Sequence, residues 1–158
     1  MTNDASFADG APLALALRAE DTNDLAIISA LTQDAILPVS EIIVDARARQ
    51  LALLLNRFRW EDAEAAAREE RPYERVRSVL LIHDALRVQS DGITRDGDTV
   101  LELLTITWQP GEDGTGRMVL DFAGDGALAV DCECVNVELR DVTRPYAAPS
   151  GLRPAHPD

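Results

Sequence analysis

The chain has no lysine: all 15 of its basic residues are arginine, set against 28 acidic ones. That absence excludes Schiff-base chemistry, a phosphate-loop lysine and a lysine general base. Aromatic residues are scarce, at 4% of the chain, and there are only 2 cysteines and 2 histidines. The cysteines, Cys132 and Cys134, stand two apart. On a strand they share a face at a spacing unsuited to an ordinary disulfide. As half of a zinc site they would need further ligands from His83, His156 or carboxylates, so we read them as buried core. Neither a metal nor a cofactor is expected. The chain also lacks a Gly-x-Ser-x-Gly elbow, a Ser/His/Asp set and a dinucleotide fingerprint. No stretch approaches the roughly 20 apolar residues of a membrane span. The first ten residues lack the basic region of a secretory signal, so a cytoplasmic location and no membrane partner are expected. The formal net charge of −13 disfavours nucleic acid, whose phosphates it would repel.

What the chain does have is turn chemistry. Asp-Gly dipeptides occur at Asp9-Gly10, Asp91-Gly92, Asp96-Gly97, Asp113-Gly114 and Asp125-Gly126, and the last four separate strand-like runs in the second half. Tight hairpins need positive φ, which glycine supplies freely and aspartate tolerates. The acids near those turns, Asp91, Asp96, Asp98 and Glu102, do not fit a calcium loop: with Asp96-Gly97 at the fifth and sixth positions, the bidentate Glu would fall on Leu103. Gly111, Gly114 and Gly116 lead into a strand and stand beside Glu112 and Asp113, so they read as a hairpin rather than a phosphate cradle.

Residues 1–11 are small, polar and acidic and are expected to be flexible; 12–142 form a single globular domain; 143–158, with four prolines, form a disordered tail. Leu13, Leu15 and Leu17 alternate as a first strand. Asp21-Thr22-Asn23-Asp24 caps a helix over about 22–35, its stripe Leu25, Ile28, Leu31 or Thr32, and Ala35. A strand over Ile36–Asp45 turns at 46–49 into a return strand to Trp60. That strand carries Leu51, Leu53 and Leu55 on one face and Leu54, Phe58 and Trp60 on the other. Glu61 to Arg75 has helix formers without an apolar stripe and reads as a short solvated helix or a loop. Val76–Ser90 is one long strand with Leu80, Ile82, Leu86 and Val88 on one face. Val100, Leu104, Ile106 and Trp108 share a face of the next; Met118, Leu120 and Phe122, then Leu128, Val130, Cys132 and Cys134, mark the following two. The sum is an α+β fold: a curved antiparallel β-sheet or half-open barrel of about seven strands with one packed helix.

Between Ala46 and Trp60 stand Arg47, Arg49, Arg57 and Arg59 and no acid, with Phe58 and Trp60 beside them; Arg75 and Arg77 open the next long strand. This local positive charge suits an anionic small ligand or a protein partner, unless the arginines pair with the acids of 61–74. The candidate binding residues are Asn56, Arg57, Arg59, Trp60, Arg77 and His83. The chain is therefore read as a non-enzymatic binding or interaction module using this patch. The alternative is a small-molecule binder or small enzyme with a pocket in the curved sheet, drawing on Asn56, His83 or Arg87. A homodimer through an exposed strand edge is a further reading.

Glu20-Asp21, Leu25-Ala26-Ile27-Ile28-Ser29-Ala30, Gln33-Asp34-Ala35, Asn56-Arg57-Phe58-Arg59-Trp60-Glu61, Arg77-Ser78-Val79-Leu80, Gln109-Pro110-Gly111-Glu112 and Asp131-Cys132-Glu133-Cys134 occur in an order that resembles domain of unknown function family 2948. The likeness runs over roughly residues 13–145. It implies a soluble alphaproteobacterial protein and brings no catalytic residues with it.

Overall fold

A computed structural model of the chain describes residues 14–154. Leu13, the Asp9-Gly10 turn and His156 lie outside the described residues. The first strand, β1 (Ala16–Ala19), leads to helix α1 (Thr22–Thr32). Asp21 caps that helix: its carboxylate accepts from the Asp24 amide at 2.8 Å, and Asp24 adds negative charge where the helix dipole is positive. Leu25, Ile28 and Thr32 face the core, and the Thr32 hydroxyl is satisfied by the Ile28 carbonyl at 2.9 Å. The helix stops at Thr32, earlier than its composition suggests, because Asp34 turns left-handed at φ 66° and its amide joins the sheet at the Leu103 carbonyl.

Nine further strands build the rest: β2 (Ile36–Pro38), β3 (Ile42–Asp45), β4 (Gln50–Phe58), β5 (Glu74–His83), β6 (Ala85–Asp91), β7 (Val100–Pro110), β8 (Gly116–Phe122), β9 (Ala127–Cys132) and β10 (Val137–Asp141). A short β11 (Tyr146–Ala147) pairs with β5. The sheet runs β1-β10-β5-β4-β2-β7-β8-β9-β6, every pair antiparallel, with β3 added to β4. Among the described residues it does not close: β1 pairs only with β10 and β6 only with β9.

The architecture is α+β, as expected, but the described residues form 11 strands rather than about seven and include a second helix, α2 (Ala63–Arg68). The extra strands come from interruptions. Pro38 has no amide for a ladder, and a 3₁₀ turn at Val39–Glu41 splits the expected 36–45 strand into β2 and β3. Asp84, at φ 57°, splits the expected long strand into β5 and β6. α2 has a stripe after all, narrow because it is made of Ala63 and Ala66, both buried.

Two phase shifts correct the expected faces. After the Asp84 kink Ala85 is buried and Leu86 is exposed, opposite to an unbroken alternation from Leu80. In β7 a bulge between Leu103 and Thr105 moves the inward set from Leu101 and Leu103 to Ile106, leaving Val100 outside. The Ile106 amide at that bulge donates to Ser29 Oγ of α1 at 2.9 Å, which pins the helix to the sheet. β8 and β9 follow strict alternation, with Met118, Leu120, Phe122, Leu128, Val130 and Cys132 buried. Cys134 lies past the end of β9 and is exposed, so only one of the two cysteines is core. Asp113 and Gly114 both take positive φ, at 54° and 82°, in the β7–β8 turn, the geometry Asp-Gly favours. These inward faces and α1 form one continuous core.

Candidate functional site

Two places gather chemistry-bearing side chains: the arginine hairpin at the end of β4, and a cleft where β3 and β6 part.

On β4, Arg57 has the same parity as Leu51, Leu53 and Leu55, so its side chain enters the core face; it is 0% exposed. Its guanidinium donates to both oxygens of Glu61, at 2.9 and 2.8 Å, and to Asp141 at 3.0 Å; its Nε donates to Ser78 Oγ at 3.0 Å. Ser78 in turn donates to Asp141 at 2.7 Å, and the Leu15 amide donates to the other Asp141 oxygen at 3.0 Å. Burial opposes the charged form of Arg57, but the hydrogen bond and charge of Glu61, with the charge of Asp141, outweigh it and raise its pKa above the ordinary value. The same pairing outweighs burial at Glu61 and lowers the pKa of its carboxyl. Every donor of this arginine has a job inside the fold, so it offers little to a ligand.

Arg59 is mostly buried and pairs with Glu74, Glu61 and Asp62. Trp60 donates its indole N–H to the Gln33 carbonyl at 2.9 Å, meets Phe58 edge-on at 4.7 Å, and has the Arg153 guanidinium 5.4 Å from its ring centre. Asn56 accepts from Arg75 at 2.8 Å and donates to the Tyr146 hydroxyl at 2.6 Å. Arg77, opposite Asn56 in the β4–β5 register, is exposed. His83 sits at the far end of β5, opposite Gln50, with Nε2 2.7 Å from Glu138 and Nδ1 3.2 Å from the Gln50 amide nitrogen. The Gln50 N–H donates to Nδ1, which makes Nε2–H the donor to Glu138, and that bond lowers the Glu138 pKa. The hairpin thus keeps Asn56, Arg57, Arg59, Trp60 and Arg77 near one end of the β4–β5 pair and His83 at the other.

The cleft arises from the Asp84 kink. Left-handed backbone suits aspartate, and its carboxylate is held by Asn136 at 3.0 Å and Cys134 at 3.4 Å, which lower its pKa. Past the kink, the Ala85 amide still reaches the Arg49 carbonyl at 3.0 Å, and from there β6 pairs with β9 while β3 stays on β4. The space between is a cleft of about 530 Å³. Its walls are aliphatic, including Ile42, Val44, Val88, Ile93 and Leu128, with Gln50, Ser90, Arg87 and Arg95 as the polar groups. Val44 and Leu86, both at the cleft, are 54% and 52% exposed. Among the sequence-read residues only Arg87 lines it; His83 touches it through Gln50. The rest carried no local signal except one: an aspartate inside an otherwise strand-like run marks a break. Among the described residues no group of three or more His, Cys, Asp or Glu is placed to hold a metal ion. Among them, too, no helix is long and apolar enough to cross a membrane.

The chain matches the family model described as Protein of unknown function (DUF2948) over residues 15–156, and so belongs to that family. Neither a curated protein nor a solved structure matches it.

Proposed function

We propose that the protein is a binding module for a small, largely aliphatic molecule, held in the cleft between β3 and β6. The observation that carries this is the exposed aliphatic lining: a 530 Å³ concavity in which Val44 and Leu86 stay more than half exposed instead of packing. Sites for small molecules fall in this size range and combine apolar walls with a few polar groups. Exposed aliphatic side chains gathered in one concavity mark binding surfaces in soluble proteins. The arginine hairpin is the weaker basis, because Arg57 and Arg59 are already bonded to Glu61, Asp62, Glu74 and Asp141.

The test is a methyl-resolved NMR titration with octanol, a neutral aliphatic probe. We expect saturable shifts at Ile42, Val44, Val88 and Ile93, abolished in Val44→Asp. Shifts spread over the surface, or unaltered by Val44→Asp, defeat the reading.

A second reading rests on the edges themselves. Among the described residues β3 and β6 each pair on one side only, and Ile43 on β3 is 57% exposed. Such an edge is a template for a second copy of the chain. Sedimentation at two concentrations decides it: a mass that doubles supports the homodimer, and a constant monomer mass removes it.

A further inference from the structure

The cleft also has a sign of charge. Resting on the cleft reading above, we infer that its occupant is a small amphipathic anion, with an aliphatic body against the β3 and β6 walls and a carboxylate-class head at Arg95 and Arg87.

Acids outnumber bases by 28 to 15, and among the described residues Arg18, Arg49, Arg57, Arg59, Arg71, Arg117 and Arg140 each pair with a carboxylate. Arg87 and Arg95 both line the cleft, and among the described residues neither forms an ion pair. Arg95 donates to the neutral Ser90 hydroxyl at 3.3 Å, which places its guanidinium over the β6 wall. Among the described residues no aspartate or glutamate lines the cleft.

Several acids near these arginines in the chain or the register have other partners: Asp84 is held by Asn136 at 3.0 Å, and Asp96 accepts from the Asp98 amide at 3.1 Å. Asp131, opposite Arg87 in the β6–β9 ladder, is held by Arg117 at 2.9 Å. Glu133 is held by Arg49 at 2.6 Å, and Asp45 accepts from the Ala48 amide at 3.1 Å. Asp91 follows Ser90 at the end of β6 and is not among the residues lining the cleft. The Arg95 guanidinium over the β6 wall, with Arg87 on the same cleft-lining stretch of β6, favours a planar anionic head, since a guanidinium can donate two parallel N–H bonds to a carboxylate.

The experiment compares octanoate, octanol and octylammonium in the same methyl NMR titration. Octanoate should move the same cleft methyls as octanol and bind about tenfold tighter, with octylammonium weakest. In the double variant Arg87→Ala with Arg95→Ala, the octanoate-to-octanol ratio should fall from about ten to about one; Arg87→Lys with Arg95→Lys should keep most of it. If octanol binds in the cleft but octanoate is no tighter, or the preference survives the double alanine variant, the inference is overturned and the cleft reading stands. If neither probe moves the cleft methyls, both fall.

Discussion

Arg57 and Arg95 are the same side chain put to opposite use at two places in one sheet. Arg57 has no exposure and is saturated by Glu61, Asp141 and Ser78. Arg95 stands at an aliphatic cleft with a serine hydroxyl as its partner. Taking a guanidinium out of water costs several kcal/mol unless charge and hydrogen bonds offset it, so the first arrangement demands its acids. The second, still hydrated, does not. In a chain this acidic, the number of arginines in a segment is therefore a poor guide to a binding site. Which arginines border an apolar cleft without a carboxylate is the better one.

The sharpest way to break the comparison is to remove Arg57. Arg57→Ala leaves Asp141 buried against the core without its cation, and should cost about 3–5 kcal/mol of stability in urea unfolding. Combining it with Asp141→Leu should cost less than the two single changes summed, by a coupling of about 0.5–3 kcal/mol. A loss under about 0.5 kcal/mol for the single change would mean that this arginine behaves like a surface residue, and the contrast would collapse.

A smaller effect follows from pH. The Glu61 carboxyl is held below its ordinary value of 4.5 by Arg57, so between the two values the unfolded chain binds the proton and the folded one does not. Its contribution is fully present above the ordinary value and is lost as pH falls through the lowered one. Thermal stability should therefore hold from neutrality down to about pH 5 and decline below it, with a shallower decline in Glu61→Gln. An acid limb identical in Glu61→Gln would mean that other carboxylates carry it.

Much of this geometry stood in the residues. Asp21 announced α1, the Met118-x-Leu120-x-Phe122 alternation announced β8, and Asp113-Gly114 announced the turn before it. Even the burial of Arg57 was legible, since it continues the parity of Leu51, Leu53 and Leu55; its charge drew attention away from its position. The cleft was not legible. It depends on one left-handed residue, Asp84, that parts β6 from β3, and it joins Ile42 to Leu128 across most of the chain. No local pattern encodes two strands failing to pair. The phase errors at Leu86 and Val100 have the same origin, because a kink or a bulge reverses alternation without altering composition.

The smallest expected effect is the one that most sharpens the contrast. Val44→Asp and Arg95→Ala, made separately, should each change unfolding free energy by no more than about 0.5 kcal/mol, because neither removes a buried contact or strands a buried charge. Val44 is 54% exposed, so an aspartate there remains hydrated, and Arg95 gives up only a hydrogen bond to Ser90. The same Val44→Asp change should abolish octanol binding. Stability kept and binding lost would separate the cleft from the core in one variant. A cost above about 1 kcal/mol would instead show Val44 to be packed in solution, with β3 and β6 closed on each other and no cleft left to fill.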